Sequence, residues 1–237
     1  EGGVASIHDI VSVKEPGLAA RLKYDRDERR SALLRLYPAG TRGRAVAEGD
    51  ANAIGSFAAT PWTLTGHDDR SATLSASQQV AGTTVAATRT IRLTGGRLDP
   101  TIEVETVLTH AGGPAISGVL DEEWNVMLLG GGGNPAAHWT TAGVRTPHDA
   151  SGAAAADLPL LSGNDYLGIA IATSTTPAAE AAWAPIETIS NSEGGFERVY
   201  QGSSLHLLRS IELRPGASIT FGTVHRCTLT RDLTAEE

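Results

Sequence analysis

The stretch WAPIETISNSEGGFERVYQGSS, residues 183–204, carries the pattern from which the fold is predicted. An Asn-Ser-Glu-Gly-Gly turn separates residues that favour a pleated strand, which are Thr188, Ile189, Phe196, Val199 and Tyr200. Gly194 and Gly195 permit a positive φ, so the turn can be tight. The stretch therefore predicts a β-hairpin in the last third of the chain.

The same hairpin concentrates polar and aromatic side chains. They comprise three carboxylates, one amide and two aromatic rings: Glu187, Glu193, Glu197, Gln201, Trp183 and Tyr200. Such a group forms either a buried hydrogen-bond network or a binding surface. The residues alone leave both interpretations open.

Outside the hairpin, short segments alternate between apolar and polar residues, and turn residues separate them. The clearest are residues 83–93, 102–109, 203–213 and 218–230. This pattern is typical of an all-β protein. About a dozen strands follow one another, which is too many for an immunoglobulin-type sandwich. We therefore expect one large antiparallel β-sandwich with few helices, formed as a single domain by residues 1–237, with a polar tail from about residue 230.

Three segments are less regular. Residues 1–14 contain enough β-branched residues to predict an opening strand. Residues 18–37 fit a helix with a charged face and fit equally a charged turn followed by a strand through Leu36. Residues 134–157 show little periodicity and are interpreted as a long excursion between strands.

Composition narrows the classes of partner and compartment. The formal net charge is −8, from 27 acidic and 19 basic side chains, which disfavours binding to the phosphates of nucleic acid. The longest apolar runs fall well short of the roughly 20 residues of a membrane span, so no membrane partner is expected. The single cysteine, Cys227, gives no sign of an oxidising compartment, and no signal peptide is visible. We therefore expect a cytoplasmic location.

Motifs for catalysis and metal binding are weak. Glu122 and Glu123 are adjacent on a predicted strand, so they point to opposite faces and cannot act as a pair of catalytic carboxylates. The seven histidines lack the spacing of zinc sites, and no metal or cofactor is predicted. Indole rings next to polar side chains suit sugar stacking, as for Trp183 with Glu187 and Trp124 with Asn125. The alternative is that these tryptophans are core residues.

Three segments together resemble a known family. They are HDIVSVKEPGLAARLKYDRDERRSALL at residues 8–34, EEWNVMLL at residues 122–129 and WAPIETISNSEGGFERVYQGS at residues 183–203. The chain is similar to the C-terminal β-domain of family-57 glycoside hydrolases, the α-amylases and 4-α-glucanotransferases that act on starch-like α-glucans. One departure is that Pro185 follows Trp183 by two positions, where the family pattern has three.

The resemblance implies a galactose-mutarotase-like supersandwich that follows a catalytic (β/α) barrel. Since the catalytic carboxylates of the family lie in that barrel, the chain is expected to be a non-catalytic accessory domain. Its expected partners are the barrel and an α-glucan or oligosaccharide. The expected carbohydrate-binding residues are Trp183, Glu187, Glu193, Glu197, Tyr200, Gln201 and Trp124.

Two alternatives remain open. In the first, the hairpin is a buried network with a purely structural role. In the second, the chain is itself a sugar-modifying enzyme of the mutarotase-like class. His206 or His225 facing Glu187 or Glu197 across a cleft would favour this second alternative.

Overall fold

A computed structural model describes residues 17–18, 24–156, 159–192 and 195–230. Within these residues the chain forms fifteen strands and one short helix, α1 (Gly43–Ala47). All the strand pairs are antiparallel, and they build two sheets. The predicted all-β sandwich with few helices is confirmed.

The smaller sheet has six strands in the order β10-β13-β14-β7-β1-β2. Their bounds are β1 (Leu33–Tyr37), β2 (Gly55–Ser56), β7 (Ile116–Val126), β10 (Gly152–Ala156), β13 (Ala179–Ser192) and β14 (Gly195–Leu213). The two longest of these, β13 and β14, form the hairpin that the sequence predicts. Its turn is adjoined by Gly195, whose φ of 100° falls in the region that glycine favours.

The larger sheet has nine strands in the order β3-β4-β5-β6-β15-β12-β11-β8-β9. Their bounds are β3 (Thr63–His67), β4 (Ser71–Val80), β5 (Thr83–Thr94), β6 (Thr101–Gly112), β8 (Ala137–Thr141), β9 (Val144–Pro147), β11 (Leu160–Asn164), β12 (Ile169–Thr176) and β15 (Ser218–Leu229). Successive side chains of a strand point to opposite faces of its sheet. In β5, for example, every second residue from Thr83 to Arg89 is buried: Thr83, Val85, Ala87 and Arg89.

The core lies between the two sheets in two apolar clusters. The first joins residues such as Leu34, Leu120 and Leu213 of the six-stranded sheet to Leu108 and Phe221 of the other sheet. The second contains three tryptophans with their neighbours: Trp124, Trp139, Trp183, Val104, Leu160, Leu205 and Leu207. Each cluster draws side chains from both sheets, so the two sheets share their core.

The six-stranded sheet is also covered on its outer face. Helix α1 places Val46 against Tyr37, Val119, Ala182 and Leu208. The segment 24–32 lies across β7, where Asn125 Nδ2 donates to the carbonyl of Arg30 at 2.7 Å. Both faces of β7 are therefore buried, and this explains its nearly unbroken run of buried residues.

The less regular segments come out as follows. Residues 33–37 are the strand β1, so the strand interpretation holds for that part of residues 18–37. The interpretation of residues 134–157 as an excursion is wrong, because they contain the strands β8, β9 and β10. These strands are only four or five residues long and carry few large apolar residues, so their alternation does not show in the sequence. The opening strand predicted in residues 1–14, together with the tail beyond residue 230, lies outside the described residues.

Candidate functional site

The β13–β14 hairpin extends past the sheet to which it belongs. β14 pairs with β7 from Ser203 to Leu213, whereas β13 and β14 pair with each other as far as Ser192 and Gly195. On the other side, β10 reaches β13 only between Ala179 and Trp183. Residues 187–192 and 195–201 therefore form a two-stranded extension, which we call the ribbon.

A β-bulge sets the faces of the ribbon. The register shifts between Ile186 and Glu187, so that Gly202 pairs with Ile186 but Tyr200 pairs with Glu187. Gln201 is the extra residue, and extra residues of this kind bend and twist a strand. The bulge lies next to Ser203, where the pairing of β14 with β7 ends. It changes the direction in which the side chains beyond it point.

The predicted polar residues are divided between the two faces of the ribbon. Residues paired across strands share a face, and the face alternates along each strand. One face therefore carries Glu187, Ile189, Phe196, Arg198 and Tyr200. The opposite face carries Thr188, Ser190, Glu197 and Val199, and Gln201 joins it through a 3.3 Å hydrogen bond from its Nε2 to Thr188 Oγ1. Glu193 lies outside the described residues.

An ion pair organises the first face. Arg198 Nη1 lies 2.9 Å from Glu187 Oε1, and the two side chains are 32% and 15% exposed. Arg198 has the larger exposure of the two, and it shares this face with the apolar side chains of Phe196 and Ile189. The sequence analysis did not select Arg198. Once the turn is placed at residues 194–195, the hairpin register puts Arg198 opposite Ile189, and Ile189 lies two residues after Glu187 on the same face. This register is the signal that could have identified Arg198.

Tyr200 is anchored at the base of the ribbon. Its hydroxyl donates to Ser203 Oγ at 2.7 Å, and Ser203 Oγ donates to the carbonyl of His148 at 2.8 Å. Burial raises the pKa of the Tyr200 hydroxyl above its usual value. The ring lies on the glycine loop, since a Cβ added to Gly131 would come 3.1 Å from Tyr200 Cβ. Tyr200 is thus only half exposed.

The prediction that Trp183 and Trp124 serve as stacking platforms for sugar is wrong. Trp183 is 3% exposed and Trp124 is 8% exposed, because the nine-stranded sheet covers the inner face from which both project. The ring of Trp183 packs 5.7 Å from that of Trp139, and the ring of Trp124 lies 4.1 Å from that of His225. Both indoles are core residues, the alternative that the sequence left open.

His206 forms part of a buried ionic cluster on the outer face of the six-stranded sheet. Its Nδ1 lies 3.0 Å from Asp121 Oδ2. Burial alone would lower the pKa of His206, but the charge and hydrogen bond of Asp121 raise it above the usual value. Neighbouring Glu123 pairs with both Arg29 and Arg35. Burial would raise the pKa of Glu123, but His206 and the two arginines lower it.

The other relevant histidine, His225, lies between the sheets. Its Nδ1 is 2.9 Å from Thr173 Oγ1, and burial lowers its pKa to about 4. His206 therefore bonds to Asp121 and His225 to Thr173. Neither histidine faces Glu187 or Glu197, so the arrangement that would favour a mutarotase-like enzyme is not found among the described residues.

In the part of the chain that the structure describes, no three His, Cys, Asp or Glu side chains converge on a point where they could hold a metal ion. The same part contains no helix with the length and apolar character needed to cross a membrane.

Three proteins of known structure have a similar fold, and the name of each refers to an enzyme of carbohydrates. The 4-alpha-glucanotransferase from Thermococcus litoralis matches with a TM-score of 0.65 and 18% identity, over 90% of this chain and 30% of that one. A putative aldose 1-epimerase from Escherichia coli K12 matches with a TM-score of 0.54 and 16% identity, over 71% of this chain and 68% of the epimerase. A galactose mutarotase related enzyme from Lactobacillus acidophilus matches with a TM-score of 0.53 and 9% identity, over 84% and 79% of the two chains.

At these identities the structural matches show the fold, which is the galactose-mutarotase-like supersandwich predicted above. The chain spans less than a third of the length of the glucanotransferase. No curated protein sequence matches it. The family model described as alpha-amylase/4-alpha-glucanotransferase, C-terminal, matches residues 1–220, which is nearly the entire chain. The chain therefore belongs to the family of C-terminal domains of α-amylases and 4-α-glucanotransferases.

Proposed function

We propose that this chain is a non-catalytic accessory module of an α-glucan-active enzyme, and that its ribbon contacts the catalytic (β/α) barrel and the glucan. The observation that carries the proposal is the extension of β13 and β14 beyond the last residues paired with β7 and β10. An isolated two-stranded hairpin is marginally stable in water. A ribbon that leaves its sheet is therefore stabilised when a partner covers one of its faces.

The chemistry of the ribbon suits sugar hydroxyl groups, which both donate and accept hydrogen bonds. Arg198 and the Gln201 amide provide donors, while Glu187, Glu197 and the Gln201 carbonyl provide acceptors. Phe196 and Ile189 add an apolar patch beside Glu187 and Arg198, on the same face of the ribbon. A small number of polar groups around an apolar surface is the usual composition of a ligand site. The two faces also allow one partner on each side.

The arrangement of carboxylates supports a non-catalytic role. Glycoside hydrolysis needs two carboxyl groups that face each other across the scissile bond at roughly 5–9.5 Å. Glu187 and Glu197 point to opposite faces of the ribbon. Asp121, Glu122 and Glu123 are buried, and their contacts are with His206, Thr223 and arginines. A substrate has no access to these three.

A titration of this chain with maltoheptaose, followed by calorimetry, tests the glucan contact. We expect heat of binding at millimolar ligand, a loss of affinity of about tenfold or less for Glu187→Gln or Gln201→Ala, and no change for the control Glu105→Gln. Glu105 is an exposed carboxylate on β6, in the other sheet. The face whose variant loses affinity is the face that holds the glucan. Absence of heat from folded wild-type chain would remove the glucan contact from the proposal.

A purely structural role is the second candidate, and the chain of bonds from Tyr200 through Ser203 to His148 favours it. The melting temperature of Glu187→Gln separates the two candidates. If the ribbon is a structural network, the charge-assisted hydrogen bond with Arg198 is part of it, and breaking that bond costs about 1–3 kcal/mol. If the ribbon is a binding surface, the partly exposed pair contributes about 1 kcal/mol or less.

A further inference from the structure

The space between the sheets holds three charged side chains that do not bond to one another. Arg89 projects from β5, and Arg209 and Glu122 project from β14 and β7. All three are buried, with 6%, 6% and 0% of their surfaces exposed. Each guanidinium comes no closer than 3.9 Å to the Glu122 carboxylate, which is beyond hydrogen-bonding distance.

The hydrogen bonding of this cluster is incomplete. Arg209 makes two long bonds, of 3.5 Å to the carbonyl of Leu207 and 3.4 Å to Thr223 Oγ1. Among the described residues, Arg209 Nε, Arg89 Nη2 and Glu122 Oε1 have no hydrogen-bond partner. A buried donor that carries charge and lacks a partner costs more than a neutral one. Arg89 does donate from Nε to Thr106 Oγ1 at 3.1 Å and from Nη1 to the carbonyl of Ala32 at 2.6 Å. The donors that lack an acceptor are therefore Arg89 Nη2 and Arg209 Nε.

The charge of the cluster is also unbalanced. One carboxylate faces two guanidinium groups, and arginine keeps its proton in proteins, so one positive charge remains. The ionic groups on the far side of the six-stranded sheet have enough partners of opposite charge. Asp121 pairs with His206, and Arg29 and Arg35, which share Glu123, each pair with a further carboxylate, Asp25 and Asp27. An uncompensated charge between two sheets is costly unless a counter-ion reaches it.

We propose that Arg89 and Arg209 bind one small monovalent anion, of the size of chloride, between the two sheets. The guanidinium N–H groups of Arg89 Nη2 and Arg209 Nε donate to it, and its charge neutralises the excess on the cluster. Because Arg89 belongs to the nine-stranded sheet and Arg209 to the six-stranded sheet, the anion ties the sheets together. This site is separate from the ribbon and does not depend on the function proposed for it.

The melting temperature of this chain in mixtures of sodium chloride and sodium gluconate at constant ionic strength tests the site, because gluconate is too large to enter it. The melting temperature should rise with the fraction of chloride. Once chloride exceeds its dissociation constant, each tenfold increase should raise the folding equilibrium constant about tenfold. The control Arg214→Met, which changes an exposed arginine paired with Glu212, should keep this response.

Two variants should change the response of the melting temperature to chloride in opposite directions. Arg209→Met should abolish the response to chloride, whereas Glu122→Gln removes the competing negative charge and should strengthen it. If Arg209→Met does not fold, two other measurements test the site. They are the chloride response of Glu122→Gln and the diffraction of wild-type crystals grown in sodium bromide. An anomalous bromide peak between Arg89 and Arg209 supports the site. Equal melting temperatures in the two salts, or a water molecule in place of bromide, would overturn it.

Discussion

His206, His148 and His225 are all largely buried, yet their surroundings move their pKa values in opposite directions. Burial lowers the pKa of His148 and of His225 to about 4, since neither imidazole faces a carboxylate at hydrogen-bonding distance. For His206, Asp121 outweighs burial and raises the pKa above 6.5. Relative to the unfolded chain, the folded chain therefore binds a proton more tightly at His206 and less tightly at His148 and His225.

These shifts predict a maximum in the free energy of unfolding near pH 6.5. Below that pH the unfolded chain takes up protons at His148 and His225 that the folded chain refuses, so stability falls as the pH drops toward 4. Above it the folded chain keeps a proton on His206 that the unfolded chain has lost, so stability falls as the pH rises. Each group contributes a slope of at most about 1.4 kcal/mol per pH unit.

Urea unfolding across pH 4–9 measures the curve, and two variants assign its limbs. His225→Gln should flatten the acid limb and leave the alkaline limb unchanged. His206→Gln should flatten the alkaline limb instead. An alkaline limb that is unchanged in His206→Gln would show that the His206–Asp121 pair is not charged in the folded chain.

The sequence predicts the alternation of residues better than it predicts their environment. It places Glu122 and Glu123 on opposite faces, and the structure agrees, since Glu122 faces the other sheet and Glu123 faces the segment 24–32. It cannot show that both faces of β7 are covered, so the burial of both carboxylates was not predictable. The same limit applies to Trp183, because the sequence predicts its strand but does not show that the other sheet covers its face.

The glycine loop at residues 130–133 illustrates the same limit for elements. A run of four glycines is typical of a flexible or tight connection. The structure shows that Gly130 and Gly131 let His148 and Tyr200 approach the backbone. A Cβ at Gly130 would clash with the Cβ of His148 and would lie 2.9 Å from the Tyr200 hydroxyl. The reason for these glycines lies in strands that are distant in sequence.

Gly130→Ala should therefore destabilise the chain by about 1–3 kcal/mol, the usual cost of overpacking. The control is Gly66→Ala in β3, where an added Cβ meets nothing within 4 Å and the backbone has no positive φ. Thermal unfolding of both variants gives the comparison. Equal melting temperatures for Gly130→Ala and the wild-type chain would mean that the loop moves away from Tyr200 at little cost.

The ribbon shows what an element-level pattern can and cannot give. Alternation and the two glycines at 194–195 locate both strands of the hairpin. They do not reveal that β7 ends at Val126, which pairs with Ser203 of β14. The eight residues of β14 that precede Ser203 pair with β13 but not with β7, apart from the bulged Gln201. The extension depends on the relative lengths of strands far apart in the chain, so the candidate site needed the structure.

The whole molecule should unfold as one cooperative unit. Each of the two apolar clusters contains side chains from both sheets, so separating the sheets disrupts both clusters at once. Arg89 adds a further tie, because its Nη1 donates to the carbonyl of Ala32 at 2.6 Å, from β5 of one sheet to the residue before β1 of the other. If the chain is a single domain, as the sequence predicts, it should therefore unfold in one transition.

Differential scanning calorimetry should give one transition whose calorimetric and van't Hoff enthalpies agree. Leu108→Ala in the first cluster and Leu205→Ala in the second should each lower that same transition, by about 2–5 kcal/mol. Both leucines are about equally buried, at 3% and 2% exposure, so the two variants are matched controls for each other. Two resolved transitions, each sensitive to one variant only, would contradict the prediction. That result would mean that the two clusters are separate folding units joined by the long strands β6, β7 and β14, because these strands run the length of both clusters without interruption.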